Sequence, residues 1–153
     1  MANTYTQIYI QIVFAVKGRK CFIKEEFREE VQKYMAGIIG NKKQKLFAVY
    51  CMPDHVHMLV SIKPDVSLST LVKDIKVNTT IYLKQQGFVN GGFSWQEGFG
   101  AFSYSKSQTP QVVSYILNQK EHHKRKTFRE EYIEFLEKFG VEYSDKYLFE
   151  FYE

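Results

Sequence analysis

The 153-residue chain has only two cysteines, one tryptophan and three prolines. Cys21 and Cys51 lie far apart and neither belongs to a C-x-x-C pair. A disulfide scaffold and an all-cysteine zinc site are therefore excluded, and both residues read as buried thiols. Long apolar runs are missing too. The longest, Leu46 to Met52, falls far short of the roughly 20 residues a membrane span requires. The opening Met1-Ala2-Asn3-Thr4 has neither the basic start nor the apolar stretch of a signal peptide, so a cytoplasmic location with no membrane partner is expected. Neither sign of charge dominates: 21 Lys and Arg against 17 Asp and Glu leave +4, which permits nucleic-acid binding without demanding it.

What is present is the composition of a globular protein, 44% hydrophobic and 25% charged. At this length it reads as one domain, residues 1–153. From Ile8 to Val16, isoleucine, phenylalanine and valine recur at every second position, a strand period. Phe27, Val31, Tyr34, Met35 and Ile38 recur at helical spacing, with Gly40-Asn41 to close the helix. Lys45 to Met52 and His55 to Ile62 read as a hairpin turned at Pro53-Asp54. A helix from about Ser67 to Gln86, a short strand from Phe99 to Tyr104, a helix from Thr109 to about Lys124 and another over Phe128 to Phe139 complete the chain. Thr109-Pro110 has the form of an N-cap followed by proline at the first helical position. The order β-α-β-β-α-β predicts an α+β, ferredoxin-like antiparallel sheet with helices on one face, followed by C-terminal helices. The second sheet face is expected to stand free.

Three groups of residues can carry chemistry. In the strand after Asp54, Val56, Met58, Val60 and Ile62 face one way, and His55 and His57 the other. Same-face residues are roughly 6.5–7 Å apart along a strand, so the two imidazoles can converge on one metal ion. A pair of surface histidines on an open sheet face is the plainer reading. In the helix after Pro110, Val112, Val113, Ile116 and Leu117 form the apolar face, and Tyr115 points away from it. Gln119 lies one turn on and His122 another, a polar stack that looks like a site although the chain has 11 tyrosines. Lys17 and Arg19 follow the first strand, Lys73 and Lys76 flank the long helix, and Lys120, Lys124 and Arg125 gather after Tyr115. These cations are candidates for phosphate contacts, against the alternative of solvated helix faces.

Taken together, Tyr5-Thr6-Gln7 with Ile12 to Arg19, Cys51-Met52-Pro53-Asp54-His55-Val56-His57-Met58-Leu59-Val60, Phe93-Ser94-Trp95-Gln96 with Gly98-Phe99, and Tyr115-x-x-x-Gln119 resemble the single-tyrosine HUH transposases of the insertion-sequence 200/605 type, which include the REP-associated tyrosine transposases. The resemblance implies a small ferredoxin-like homodimer with active sites shared between subunits. It implies cutting and rejoining of single-stranded DNA at element ends, recognised through imperfect hairpins. His55, His57 and Gln119 match the metal ligands, for Mg2+ or Mn2+, and Tyr115 matches the nucleophile that forms a 5′-phosphotyrosine. Small, polar Ser105 to Thr109 would tether the tyrosine helix as a flexible connector or serve as an ordinary loop. Gln11 stands where many relatives carry histidine, and the resemblance gives His122 and His123 no role. Two rivals compete with this reading: a histidine-triad nucleotide hydrolase, disfavoured because position 59 is leucine, and a ferredoxin-like nucleic-acid-binding module without catalysis.

Overall fold

A computed structural model describes residues 3–152. Met1, Ala2 and Glu153, at the ends of the one-domain reading, lie outside the described residues. Strands β1 (Tyr9–Ala15), β2 (Lys45–Cys51), β3 (His55–Ser61) and β4 (Gly100–Tyr104) form one antiparallel sheet in the order β2-β3-β1-β4. Helices α1 (Arg28–Asn41) and α2 (Leu68–Gln85) make the two crossovers. This is the ferredoxin-like arrangement the element order predicts.

The alternating residues of β1 and β3 build the first core. Ile12, Phe14 and Val16 stand with Val56, Met58 and Val60 against Val31, Met35 and Ile39 of α1 and Leu71, Ile75 and Leu83 of α2. Burying such a side chain stabilises by about 1.5–3 kcal/mol, so this layer supplies much of the driving force. Ser67 caps α2, its hydroxyl accepting from the Thr70 N–H at 3.3 Å. At the end of α1 the left-handed residue is Lys43 (φ 62) rather than Gly40 or Asn41. Both cysteines are buried and unpaired.

The second face is not free. It is covered by α3 (Thr109–Leu117), α4 (Gln119–His122) and α5 (Phe128–Lys138) of the same chain. Val13, Ala15 and Phe102 pack against Phe128, Tyr132, Phe135 and Leu136, while Ala48 and Leu59 pack against Val112 and Ile116. The reason is visible in β1: Val13 and Ala15 make its second face apolar as well, and a strand apolar on both faces needs cover on both. His55 and His57 are accordingly interior residues, 1% and 0% exposed. At one point the cover is very close. An added Cβ on Gly100 of β4 would lie 2.7 Å from the ring of Tyr132 on α5.

The helix expected from Thr109 to Lys124 is two segments parted at Asn118, where ψ is 20°. Hydrogen bonds from Asn118 N–H to Ser114 O and from His122 N–H to Asn118 O still span the break, so Tyr115, Gln119, His122 and His123 keep to one side. The N-cap lies four residues earlier than Thr109. Ser105 and Gln108 form a capping box around a 3-10 turn, Lys106–Gln108, and Thr109 is already helical. Ser105 to Thr109 is therefore an ordered turn rather than a flexible connector. Among the described residues, no helix is long and apolar enough to cross a membrane.

Candidate active site

The turn between β2 and β3, closed by Met52 N–H to His55 O at 2.8 Å, launches β3 with Asp54 beside His55. Strand alternation then sends both histidines toward the C-terminal helices. Glu131 of α5 meets them there, 2% exposed. His57 Nε2 lies 2.8 Å from Glu131 Oε1, His123 Nε2 3.2 Å from it and His55 Nε2 3.6 Å. Glu131 Oε2 accepts from Gln119 Nε2 at 3.1 Å and from the Tyr115 hydroxyl. The same hydroxyl is 3.1 Å from His122 Nε2. Ligand atoms of His55, His57, His123 and Glu131 all lie within 4.8 Å of one another, so the cluster can hold a metal ion.

Partners around the cluster fix its rings. His55 Nδ1 donates to Asp54 Oδ1 at 2.7 Å, the carboxylate–histidine arrangement that orients a metal ligand. Its Nε2 is buried without a hydrogen-bond partner. On the far side of His57, Gln11 Nε2 lies 3.0 Å from Nδ1, and Gln11 Oε1 accepts from the Tyr104 hydroxyl at 2.9 Å. As drawn, His57 keeps its proton on Nε2. Turning the Gln11 amide over would let its oxygen accept from Nδ1–H and free Nε2, so the pair Gln11 and Tyr104 can serve either tautomer. His123 Nδ1 donates to Lys126 O at 2.8 Å, and Nε2 points at Gln119 Oε1, 2.9 Å away.

The charges follow from this packing. Burial works against an ionised Glu131, yet the charge of His57 and hydrogen bonds from His123 and His57 hold its pKa far below the usual range. Burial lowers the pKa of His57. For His123 burial also opposes the charged form, but the hydrogen bond to Glu131 and its charge outweigh that, and the pKa is raised. Burial, then the charge of Glu131 and the bond to it, push the Tyr115 phenol well above its ordinary value. The resting nucleophile candidate is thus a protonated phenol tied to a carboxylate. Beside it opens a cleft lined by Gln11, Tyr104, Gln111, Tyr115, His122 and Lys138.

A family model described as "Transposase IS200 like" matches residues 4–119. The chain belongs to the IS200-like transposase family. It is 28% identical over 130 residues to the transposase for insertion sequence element IS200 of Salmonella typhimurium, covering 81% of this chain and 84% of that one. Against the ISDra2 transposase TnpA of Deinococcus radiodurans it is 23% identical over 118 residues, covering 74% and 84%. Its fold is shared with a crystal structure from Deinococcus radiodurans R1 (TM-score 0.57, 23% identity, 76% of this chain and 94% of that one). It is shared also with a REP-associated tyrosine transposase bound to a REP hairpin (TM-score 0.60, 14% identity, 79% and 72%).

In this IS200-like chain, His55, His57, Tyr115 and Gln119 come together in one place, and His122 joins them. Sequence reasoning left His123 without a role and missed Glu131, both beyond the family match. A signal for Glu131 was available. Phe128, Tyr132, Phe135 and Leu136 mark the buried stripe of α5, and position 131 falls inside it, so a carboxylate there had to have partners. Within this chain the Tyr115 hydroxyl reaches Glu131 of the same chain.

The candidate phosphate contacts divide. Lys17, Lys73 and Arg125 are exposed. The Lys76 ammonium is bonded to Gln96 O at 3.0 Å and Gly98 O at 2.8 Å; the half-buried stem puts it over these carbonyls. The Arg19 guanidinium holds Tyr152 O at 2.6 Å. Lys120 pairs with Glu25 and Lys124 with Glu121. These last two pairs are exposed and worth little, so they can open toward a phosphate at small cost.

Proposed function

We propose that the chain cuts and rejoins single-stranded DNA at imperfect hairpins through a 5′-phosphotyrosine on Tyr115. The observation that carries this reading is the Tyr115 hydroxyl held at an interior histidine–carboxylate cluster in a member of a transposase family. In the first step the Tyr115 oxygen attacks the phosphorus, a phosphotyrosine bond forms and the bond to the 3′ oxygen breaks. The phenolic proton has two acceptors in reach, Glu131 Oε2 and His122 Nε2. The departing 3′ oxygen takes up a proton, and the reverse sequence reseals a strand without ATP because the phosphodiester energy is kept in the tyrosyl ester.

A divalent ion, Mg2+ or Mn2+ by family resemblance, would supply positive charge for the phosphate oxygens and offset that of Glu131. The residues themselves bind and orient. Asp54 and Gln11 set the His55 and His57 rings, Gln119 ties Glu131 to His123, and the cover of α5 keeps water from the cluster. The protein works as a homodimer on this reading, with each site assembled inside one subunit; the geometry of Tyr115 and Glu131 supports that over a shared site.

The deciding experiment is a denaturing gel with labelled single-stranded hairpin DNA. Wild-type protein is expected to give a covalently shifted band, and Tyr115→Phe to give none while still binding the DNA. Binding without any adduct by the wild type would leave a nucleic-acid-binding module and overturn the enzymatic reading. A persistent adduct in the variant would move the nucleophile to another residue.

A further inference from the structure

The cleft beside Tyr115 runs on past the histidine–carboxylate cluster, along the helix that carries the tyrosine. Its volume is about 280 Å³, just under the roughly 300–1,000 Å³ of sites for drug-sized ligands. That is room for one planar ring system and too little for a base pair. Val112 and Phe135, both buried, form an apolar floor, and the half-buried Tyr104 ring stands beside them. Such a lining suits the π-face of a nucleobase.

The rim of the cleft is polar, and its hydrogen bonding is uneven. Gln11 spends its amide on His57 and on the Tyr104 hydroxyl. Gln108 gives its Oε1 to Ser105 in the capping box, which leaves its NH2 group as a donor. Gln111 stands one helical turn before Tyr115, roughly 5.4 Å along the axis and on the same side. It is exposed, so a complete donor–acceptor pair is open at the cleft wall. A glutamine amide matches the adjacent donor and acceptor on the edge of a base. Charge at the rim is also uneven. Glu134 is neutralised by Lys126, whereas the exposed Lys138 ammonium lies over the Phe139 ring, 5.6 Å from its centre, and can turn to a phosphate.

The direction of attack selects the base. With the Tyr115 oxygen in line, the departing 3′ oxygen lies on the far side of the phosphorus. The other nucleoside is carried on a bond that points sideways, and it stays linked to Tyr115 through the covalent stage. Its base is the one within reach of a cleft on the tyrosine's own helix. We infer, building on the tyrosyl-transfer reading above, that this cleft takes the unpaired base of the nucleotide whose 5′-phosphate becomes attached to Tyr115. Gln111 reads the edge of that base, Phe135 and Tyr104 flank its ring, and Lys138 meets the next phosphate. Held this way, the retained strand keeps its phosphorus aligned for rejoining. Gln111 is then a specificity-determining residue that touches DNA but none of the reacting atoms.

The test has two arms. In the first, the full chain in excess chelator is titrated with each 2′-deoxynucleoside 5′-monophosphate and with base-free 2-deoxyribose 5-phosphate, while NMR follows the side-chain amides. Saturable shifts at Gln111 and Gln108 are expected with at least one nucleotide, bound tenfold or more tighter than the sugar phosphate. Gln111→Ala, an exposed change whose folding circular dichroism checks, should remove most of that difference and leave sugar-phosphate binding as it was. Equal binding of nucleotide and sugar phosphate, shifts confined to other parts of the chain, or no saturable shift would overturn the assignment. In the second arm, an abasic nucleotide is placed just 3′ of the mapped cleavage position in the hairpin substrate. Cleavage should slow tenfold or more with DNA affinity nearly unchanged, and an abasic nucleotide on the leaving side should slow it less. Gln111→Ala should act like the first lesion and add little to it. Undiminished cleavage of the first abasic substrate would refute the placement of that base. Wild-type protein that forms no adduct would sink the tyrosyl-transfer reading instead, and the nucleotide titration would still decide whether the cleft takes a base.

Discussion

Glu131 collects more of the site than any other side chain, and replacing it by glutamine tests that directly. Tyr115, Gln119, His57 and His123 all direct polar hydrogens at its two oxygens. Glutamine has the same shape but one acceptor oxygen, and its NH2 would confront two of those donors. Removing one partner of a buried charged network costs about 3–5 kcal/mol, a large part of the roughly 5–15 kcal/mol that a domain has in all. For a chain of this size each kcal/mol is worth about 2–4 °C, so the melting temperature should fall by roughly 6–20 °C. The measurement is thermal and urea unfolding of wild type and Glu131→Gln at pH 7, both in excess chelator so that no bound ion contributes. The sign of the pH dependence is also fixed. Glu131 has its folded pKa well below the unfolded value of 4.5, so its contribution is complete above that value and is lost as pH falls toward the folded pKa. The gap between the two proteins should persist down to about pH 5 and close below it. A loss under about 1 kcal/mol at pH 7 would mean that the carboxylate is not the ionised centre of the network.

His57→Ala should abolish cleavage and remove the thermal stabilisation that added Mn2+ gives the wild type; chelator should reproduce the first effect and full activity in chelator would contradict it. Mixing His57→Ala with Tyr115→Phe protein should restore nothing if each subunit builds its own site, whereas return of roughly a quarter of wild-type cleavage after free exchange would show that dimers share them. Lys76→Ala should cost about 1–2 kcal/mol through the two carbonyls it leaves, with an unchanged salt slope for DNA binding; a flatter slope with unchanged stability would restore Lys76 to the phosphate contacts.

The strands and the first core were legible because β1 and β3 alternate strongly and α1 and α2 carry regular apolar stripes. Tyr115, Gln119 and His122 were legible for the same reason, as one side of one helix. The cover over the second sheet face was harder to see. His55 and His57 sat opposite an apolar set and so read as outward, but Val13 and Ala15 on the neighbouring strand already asked for a packing partner. Glu131 escaped because a single carboxylate in an acidic helix, beside Glu130 and Glu134, attracts no notice until the phase of the stripe is followed. The cap was misplaced for a local reason. Thr109-Pro110 is a good start signal, but Ser105 with Gln108 is a better one, since it satisfies two backbone or side-chain donors reciprocally.

The close approach at Gly100 links sequence tolerance in one strand to chemistry in the opposite layer. The Tyr132 ring that fills the space above this glycine also packs against Phe149, with ring centres 4.8 Å apart, so the two rings would have to move together. Tyr132 is the next residue after Glu131 on α5. A methyl group at position 100 would press on that ring, and any part of the strain passed to this turn of the helix would shift the carboxylate against the three imidazoles. The glycine end of an edge strand thus sets how closely the helix above it can approach, and the missing side chain at position 100 leaves room for the ring next to Glu131.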